Sequence, residues 1–404
     1  METEKPQENV NKPLEKKEKS KKSWLIFLIL GILEIAGGVT CFLIPILKPV
    51  ENLPDLVFPD IPTKKTETKH YSNLTGLEVI SEEAKTTPTY CVQTPNGTDG
   101  ARPQVGLDQA GVVFEAIAEA GITRFAAIYQ DPSSAVIGPI RSLRLYYLQW
   151  DTPFDCTIVH AGGAADAIAA VRAGGYKDLT ENYTYMYRGS NGARRWNNLF
   201  TTSANLIQMN ADRGYGGSNV NGFKRMTPAE ALKARVDAGV AEKLQITQPT
   251  TKNTSEIVPS VTNIAIRFGY AVNFNVNYTY NTESNNYKRS YESGTPHEIY
   301  KCPSENLGEV DPENNCTLMQ LAPSVVVAMI VEERRAEDGY HEAITTVGSG
   351  TAYIFQNGIA VAGSWSKASV EEQIKFFDGS GNEIALAPGQ TFVEAVPAYG
   401  GVEY

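Results

Sequence analysis

A chain of 404 residues, 42% apolar and 20% charged, is long enough for two folded units plus appendages and apolar enough to give each a core. Its formal net charge of −10, from 36 Lys and Arg against 46 Asp and Glu, argues against a nucleic-acid surface, which needs clustered cations to neutralise phosphates. With only four His and no CxxC pair among five Cys, a structural zinc site lacks ligands at workable spacing, and no cofactor is implied.

Residues 1–23 hold many Lys, Glu, Asn and Gln and too few apolar groups to offset the entropy of ordering, so a disordered cytoplasmic tail is expected there. Residues 24–47, WLIFLILGILEIAGGVTCFLIPIL, form an apolar run long enough for a helix to cross a hydrocarbon core about 30 Å thick. Membrane lipid is therefore the first expected partner. Lys16, Lys17, Lys19, Lys21 and Lys22 precede the run, which predicts a single-pass anchor with its N-terminus cytoplasmic and its bulk extracytoplasmic. The run continues through Phe42 and Leu43 without a small-residue cleavage site, so the segment reads as retained. The residues before Cys41, Gly38 to Thr40, make a poor lipidation signal. Glu34 inside the span costs about 2.5–3.5 kcal/mol if unpaired at the bilayer centre. Residues 48–72 carry Pro49, Pro54, Pro59 and Pro62 and read as an extended stalk.

The first folded unit is expected over 73–246 as mixed α/β. Residues 93–104 read as a loop rich in Gly, Pro, Asn and Thr. From Val112 to Tyr129, β-branched and aromatic residues on both sides of Ala120 and Gly121 predict a hairpin, against a helix suggested by the alanines. With Ala120 and Gly121 as the turn, Glu119 faces Ile122 and Ile117 faces Arg124, placing Glu115 and Glu119 beside Arg124 on one surface. A helix is predicted from about Arg141 to Trp150, so Arg141 and Arg144 in its first turn would oppose the macrodipole and need an anion. Asp155 to His160 reads as a strand and Ala164 to Ala173 as a helix ending at Gly174 and Gly175. His160 then sits at a strand's C-terminal end, where sites in open α/β layers gather. Helices follow at Ser203–Ala211 and Pro228–Ala238, the latter capped by Thr227.

Residues 247–260, TQPTTKNTSEIVPS, have linker chemistry, and 261–404 turns to strand patterns punctuated by Asn357-Gly358 and DGSGN at 378–382. The fold class expected is α+β: an N-terminal transmembrane helix, a mixed α/β first domain and a mostly β second. Outside the membrane disulfides persist, and Cys302 and Cys316 bracket a loop that a bridge would stabilise by about 3 kcal/mol. Cys91 and Cys156 are left either to pair or to remain thiols.

Several segments carry a family resemblance. NLTGLEV, ARPQVGLDQAGVVFEAIAEAGITRFAAIYQ, IGPIRSLRLYY, HAGGAADA and NLFTTSANL in the first half, with NNYKRSYESGTPHE, VGSGTAYIFQNGIAVAGSWSK and FFDGSGNEIALAPGQTFVEAVP in the second, resemble the YerB-like lipoproteins, domain of unknown function 3048. The resemblance spans nearly all of the chain after the stalk. It implies an exported, surface-anchored bacterial protein with an α/β domain followed by a β-rich one, and it implies no activity. The chain departs from the pattern in its long apolar anchor without a lipobox and in the insertion between Cys302 and Cys316.

A ligand or partner site, for an envelope protein or glycan, is therefore expected around Glu115, Glu119, Arg124, Arg141, Arg144 and His160. The competing enzyme reading uses Glu115 and Glu119 as the acid and base of a glycan hydrolase. Against it stands the tendency of such clusters to be structural ion pairs, and the sequence holds no GxxxxGK[ST], HExxH or GxSxG motif. The leading expectation is a membrane-anchored extracytoplasmic binding or scaffold protein.

Overall fold

The computed structural model describes residues 68–134, 136–189, 197–239, 260–303 and 312–404. The expected tail, the span at 24–47, most of the stalk and nearly all of the linker lie outside the described residues. Among the described residues no helix is long and apolar enough to cross a membrane.

The described chain is strand-rich α+β. In chain order its main elements are β1 (Thr89–Pro95), β2 (Val112–Glu119), β3 (Ile122–Gln130), α1 (Leu145–Asp151), β4 (Thr157–His160), α2 (Ala165–Arg172), β5 (Lys177–Thr180), α3 (Ser203–Asp212) and α4 (Pro228–Asp237). They continue with β6 (Asn263–Arg267), β7 (Val276–Asn281), β8 (Asn286–Tyr291), β9 (Val325–Val331), β10 (Glu333–Arg335), β11 (Glu342–Ile344), β12 (Gly348–Gln356), β13 (Ile359–Lys367), β14 (Lys375–Asp378), β15 (Thr391–Pro397) and β16 (Gly401–Glu403).

One ten-stranded sheet runs β14-β13-β12-β9-β15-β2-β3-β1-β4-β5. Each half of the chain supplies five of its strands, and the halves meet where β15 pairs parallel with β2, Thr391 against Val112 through Glu394 against Glu115. β9, between antiparallel β12 and parallel β15, is covered on both faces, which explains its run VVVAMIV, where six of seven residues are buried. One face packs Phe114, Ala116 and Ala126 against Tyr147 and Trp150 of α1 and Ala167 of α2. The other packs Val113, Phe125 and Ala127 against Leu206 and Met209 of α3. Beside α3 lies a second sheet, β8-β7-β6-β16, whose Ile266, Tyr278 and Tyr287 meet Val326, Ala328 and Phe355 of the large one.

The hairpin of β2 and β3 turns at Ala120 and Gly121, both with positive φ (48° and 76°), the conformation two-residue hairpin loops require. A Cβ on Gly121 would lie 2.7 Å from the Ala271 methyl, so the turn is closed to larger residues. The expected pairing of Glu119 with Ile122 holds, but that of Ile117 with Arg124 needs correction. A bulge between Ile117 and Glu119 shifts the register, putting Arg124 opposite Ala116, Thr123 opposite Ile117 and Phe125 opposite Glu115. Because residues in register share a face, Glu119 and Arg124 now lie on one face of the sheet and Glu115 on the other.

The first helix is also shorter than expected. Arg141–Arg144 run extended because their backbone groups are already engaged: the Arg141 N–H donates to the Gln93 carbonyl, the Leu143 N–H to Gly162, and the Arg141 carbonyl accepts from Ala161. Arg144, at φ −123° and ψ 149°, is the residue before α1, so neither arginine occupies a first helical turn. Residues 89–95, partly read as loop, form a fully buried interior strand of the sheet. Disulfides join Cys91 to Cys156 and Cys302 to Cys316.

Candidate functional site

The bulge that separates Glu115 from Glu119 builds two buried polar clusters, one on each face of the large sheet. Tyr146 and Tyr147 at the start of α1 hold it in place. The Tyr146 hydroxyl donates to the Ile117 carbonyl (2.8 Å) and the Tyr147 hydroxyl to the Arg124 carbonyl (2.6 Å).

On the α1 face, Glu119 accepts from Arg124 through one carboxylate oxygen and from Arg144 through the other. All three are buried, at 7%, 4% and 3% exposure. Burial opposes ionisation of Glu119, but the two guanidinium charges outweigh it and hold the carboxyl below its ordinary value. For Arg124, burial and the nearby Arg144 charge prevail, bringing it down to about 10. Arg144 also donates to the Leu143 carbonyl (3.1 Å). The anion that Arg144 was expected to need is thus Glu119; Arg141 does not pair with it. Replacing Glu119 with Gln keeps the shape but leaves two buried cations facing a neutral amide. A loss of about 2–3 kcal/mol is expected, the scale of hydrogen bonds to charged groups, readable as a lower urea midpoint at unchanged slope.

On the opposite face, Glu115 accepts from Arg289 of β8, from Thr123 Oγ1 and from Asn96 Nδ2 (3.0 Å). Glu115, Arg289 and Glu394 are all 0% exposed. Arg289 Nε donates to Tyr278 Oη (3.0 Å), and its Nη1 donates to His297 Nδ1. His297 Nε2 in turn donates to Gln104 Oε1 (2.9 Å). Burial, with the Arg289 and Arg102 charges, drives His297 well below its ordinary value and keeps it neutral. Burial and the Glu115 charge in register beside it push Glu394 well up. Sequence reasoning missed Arg289, Glu394, Tyr278 and His297. Two of them stand in the stretch NNYKRSYESGTPHE, where an Arg on an alternating strand and a His just beyond it were the available signal.

The remaining expected residues pair with neither glutamate, although the Glu119 charge reaches Arg141. His160 is engaged at both ring nitrogens, Nδ1 with the Gly162 carbonyl (2.7 Å) and Nε2 with Asp178 Oδ1 (2.8 Å). It fixes the loop leading into α2. Arg141 is half-buried; its Nε is buried without an acceptor. Glu115 and Glu119, on opposite faces and each tied to arginine, cannot flank one bond as acid and base.

Above the Glu119 cluster lies a cleft of about 480 Å³, within the usual range for small-ligand pockets. Arg144 forms part of its floor, α1 contributes Tyr146 and Gln149, and α2 contributes Ala165 and Asp166. The hairpin β10–β11 closes the far side with Arg334, His341 and Glu342 among others. His341 pairs through its backbone with Glu119 and through Nδ1 with Asp338 (2.6 Å), so the hairpin is seated on the tip of β2. Among the described residues no three His, Cys, Asp or Glu side chains stand together as a metal set.

Glu333, on β10, gives the hairpin a pH response. Tyr399 Oη donates to its Oε1 (2.7 Å), while Oε2 is buried without a partner. Burial, reinforced by Glu342, pushes its carboxyl from 4.5 to about 7. A raised folded value means that the native state holds the proton more tightly than the unfolded chain. Stability from this group is full below the unfolded value and falls as pH rises from about 4.5 to about 7. Glu394 shifts in the same direction, so the difference between wild type and Glu333→Gln isolates the Glu333 contribution. The variant should show a flatter decline in urea midpoint across that interval.

Residues 74–216 match the N-terminal domain, and residues 264–393 the C-terminal domain, of a protein family of unknown function, DUF3048. A Bacillus subtilis (strain 168) protein named "Putative lipoprotein YerB" is 26% identical over 334 residues, 82% of this chain and 88% of that protein. A crystal structure of YerB protein from Bacillus subtilis aligns with a TM-score of 0.63 at 21% identity, over 83% of this chain and 100% of that one. That likeness bears on the fold.

Proposed function

The chain belongs to the DUF3048 family, and from that membership together with its cleft we propose that it is a membrane-anchored extracytoplasmic binding protein of the bacterial cell envelope. The observation that carries this reading is the 480 Å³ cleft over the Glu119, Arg124 and Arg144 cluster. A cavity walled by two helices and a charged hairpin, with its floor fixed by a buried ion-pair triad, is preorganised for a ligand. The lipoprotein name of the relative and the apolar run at 24–47 support anchorage outside the cytoplasm. Envelope glycan or protein is the proposed source of the ligand, and membrane lipid contacts the run at 24–47.

The ligand-site residues are accordingly Arg144 at the floor, Glu119 and Arg124 beneath it, and His160 holding the α2 entry loop. Full-length protein solubilised in detergent should retain small molecules from a soluble envelope extract, identified by mass spectrometry after washing. Ala165→Trp, which fills the cleft from an exposed helical position, should lose them. Equal retention by both proteins would overturn the reading. Anchorage is tested separately: a cysteine placed at Thr66 should react with an impermeant label from outside intact cells, and protection there would reverse the topology.

A further inference from the structure

We propose that the ligand of this cleft is amphoteric, bearing an ammonium and a carboxylate close together, as a free α-amino acid or a short peptide does. The inference rests on the cleft being a ligand site and adds the chemistry of what it takes.

Charges of both signs face the same cavity. Arg334 and Glu337 both line it from the β10–β11 hairpin, three positions apart and exposed. Among the described residues neither side chain has an ion pair or hydrogen bond, with each other or with any neighbour. A cation and an anion that share a cavity without pairing leave both charges available to one occupant.

Other groups extend this division. The positive side includes the first turn of α2, where Ala164 at the cap supplies no side-chain acceptor and Asp166 takes only the Ala167 N–H, leaving the Ala165 and Asp166 N–H groups to an anion. Arg144 lies below at 3% exposure, its charge answered by Glu119 and its Nε buried without an acceptor. On the negative side, Glu342 is already paired with Arg335 (3.3 Å) and burial raises its carboxyl, which leaves Glu337 as the free carboxylate. Asp166 and Asp338 also line the cavity but are committed, Asp166 to the Ala167 N–H (2.7 Å) and Asp338 to His341 and two backbone N–H groups.

A purely anionic ligand would meet more carboxylates than free cations here. A purely cationic one would meet Arg334 and the positive end of α2. A ligand with both charges places its carboxylate toward Arg334 and the α2 turn and its ammonium toward Glu337, and it desolvates neither without a partner.

The test is isothermal titration of the full-length protein with alanyl-alanine, its N-acetyl form, its C-terminal amide, and alanine. The free dipeptide is expected to bind, with acetylation and amidation each weakening it by about tenfold, the scale of one lost charge-assisted hydrogen bond. Arg334→Ala, at an exposed position, should weaken the free dipeptide similarly and erase the difference between it and the amide. Tighter binding of alanine would identify an amino acid as the source, and tighter binding of the dipeptide a peptide. Blocked forms that bind as well as the free dipeptide, or a free dipeptide that does not bind, overturn the amphoteric ligand. If Ala165→Trp still abolishes retention of an envelope ligand in that case, the cleft remains a binding site and only the ligand class is wrong.

Discussion

Replacing Arg289 with methionine should destabilise the protein by about 3–5 kcal/mol at neutral pH, because it removes the cation from a buried charge cluster and leaves the anion behind. Arg289 and Glu115 are both fully buried. Burial works against the guanidinium, yet Glu115, Tyr278 and Glu394 hold its proton more tightly than in water. Without it, Glu115 retains Thr123 and Asn96 as neutral donors, and Glu394 sits in register beside it on the adjoining parallel strand. His297 Nδ1 loses its donor at the same time, and Tyr278 Oη keeps only its bond to Glu394. Methionine fills part of the side-chain volume, so the loss reports chiefly on charge. Adding Glu115→Gln to the variant should recover a large part of the stability, since a neutral buried pair is less costly than a lone carboxylate. Urea unfolding of the single and double variants measures both effects. A single-variant loss below about 1 kcal/mol, within the range of exposed ion pairs, would show that the cluster is not held by its charge.

That cluster was invisible in the sequence, whereas the hairpin that carries half of it was legible. Alternating β-branched residues on either side of Ala120 and Gly121 sufficed for two strands and a turn, as the structure has them. The bulge was not legible because it depends on distant groups: Tyr146 and Tyr147 satisfy backbone carbonyls around it, and Arg144 receives Glu119 beyond it. One extra residue then puts the two glutamates on opposite faces. The same dependence on tertiary partners delayed α1, since Gln93, Ala161 and Gly162 take the backbone groups of Arg141–Leu143. Residues 89–95 were partly read as loop from their Thr and Pro content, although their place between β3 and β4 makes them an interior strand. The far wall of the cleft, EERRAEDGYHEAI at 332–344, has the composition of a solvated charged segment. Its meaning appears only when the hairpin is laid across the tip of β2.

Removing the Cys91–Cys156 bridge by double substitution to alanine should cost about 4 kcal/mol, against about 3 kcal/mol for the Cys302–Cys316 bridge, if loop-closure entropy of the unfolded chain governs both. The sequence separations are 65 and 14, so the first bridge restrains a much larger loop. Its place in the fold acts in the same direction. It ties β1 to the residue before β4, its parallel neighbour in the sheet, and a parallel pair must be closed across a long connection. Cys91 is 0% and Cys156 6% exposed, so thiols should reduce this bridge in the native protein only through opening of the sheet. Added reductant is therefore expected to attack it faster in moderate urea than in buffer. Chemical unfolding of the two double variants gives the comparison. Equal losses, or a larger loss from the shorter loop, would mean that native contacts around the sulfurs outweigh chain entropy.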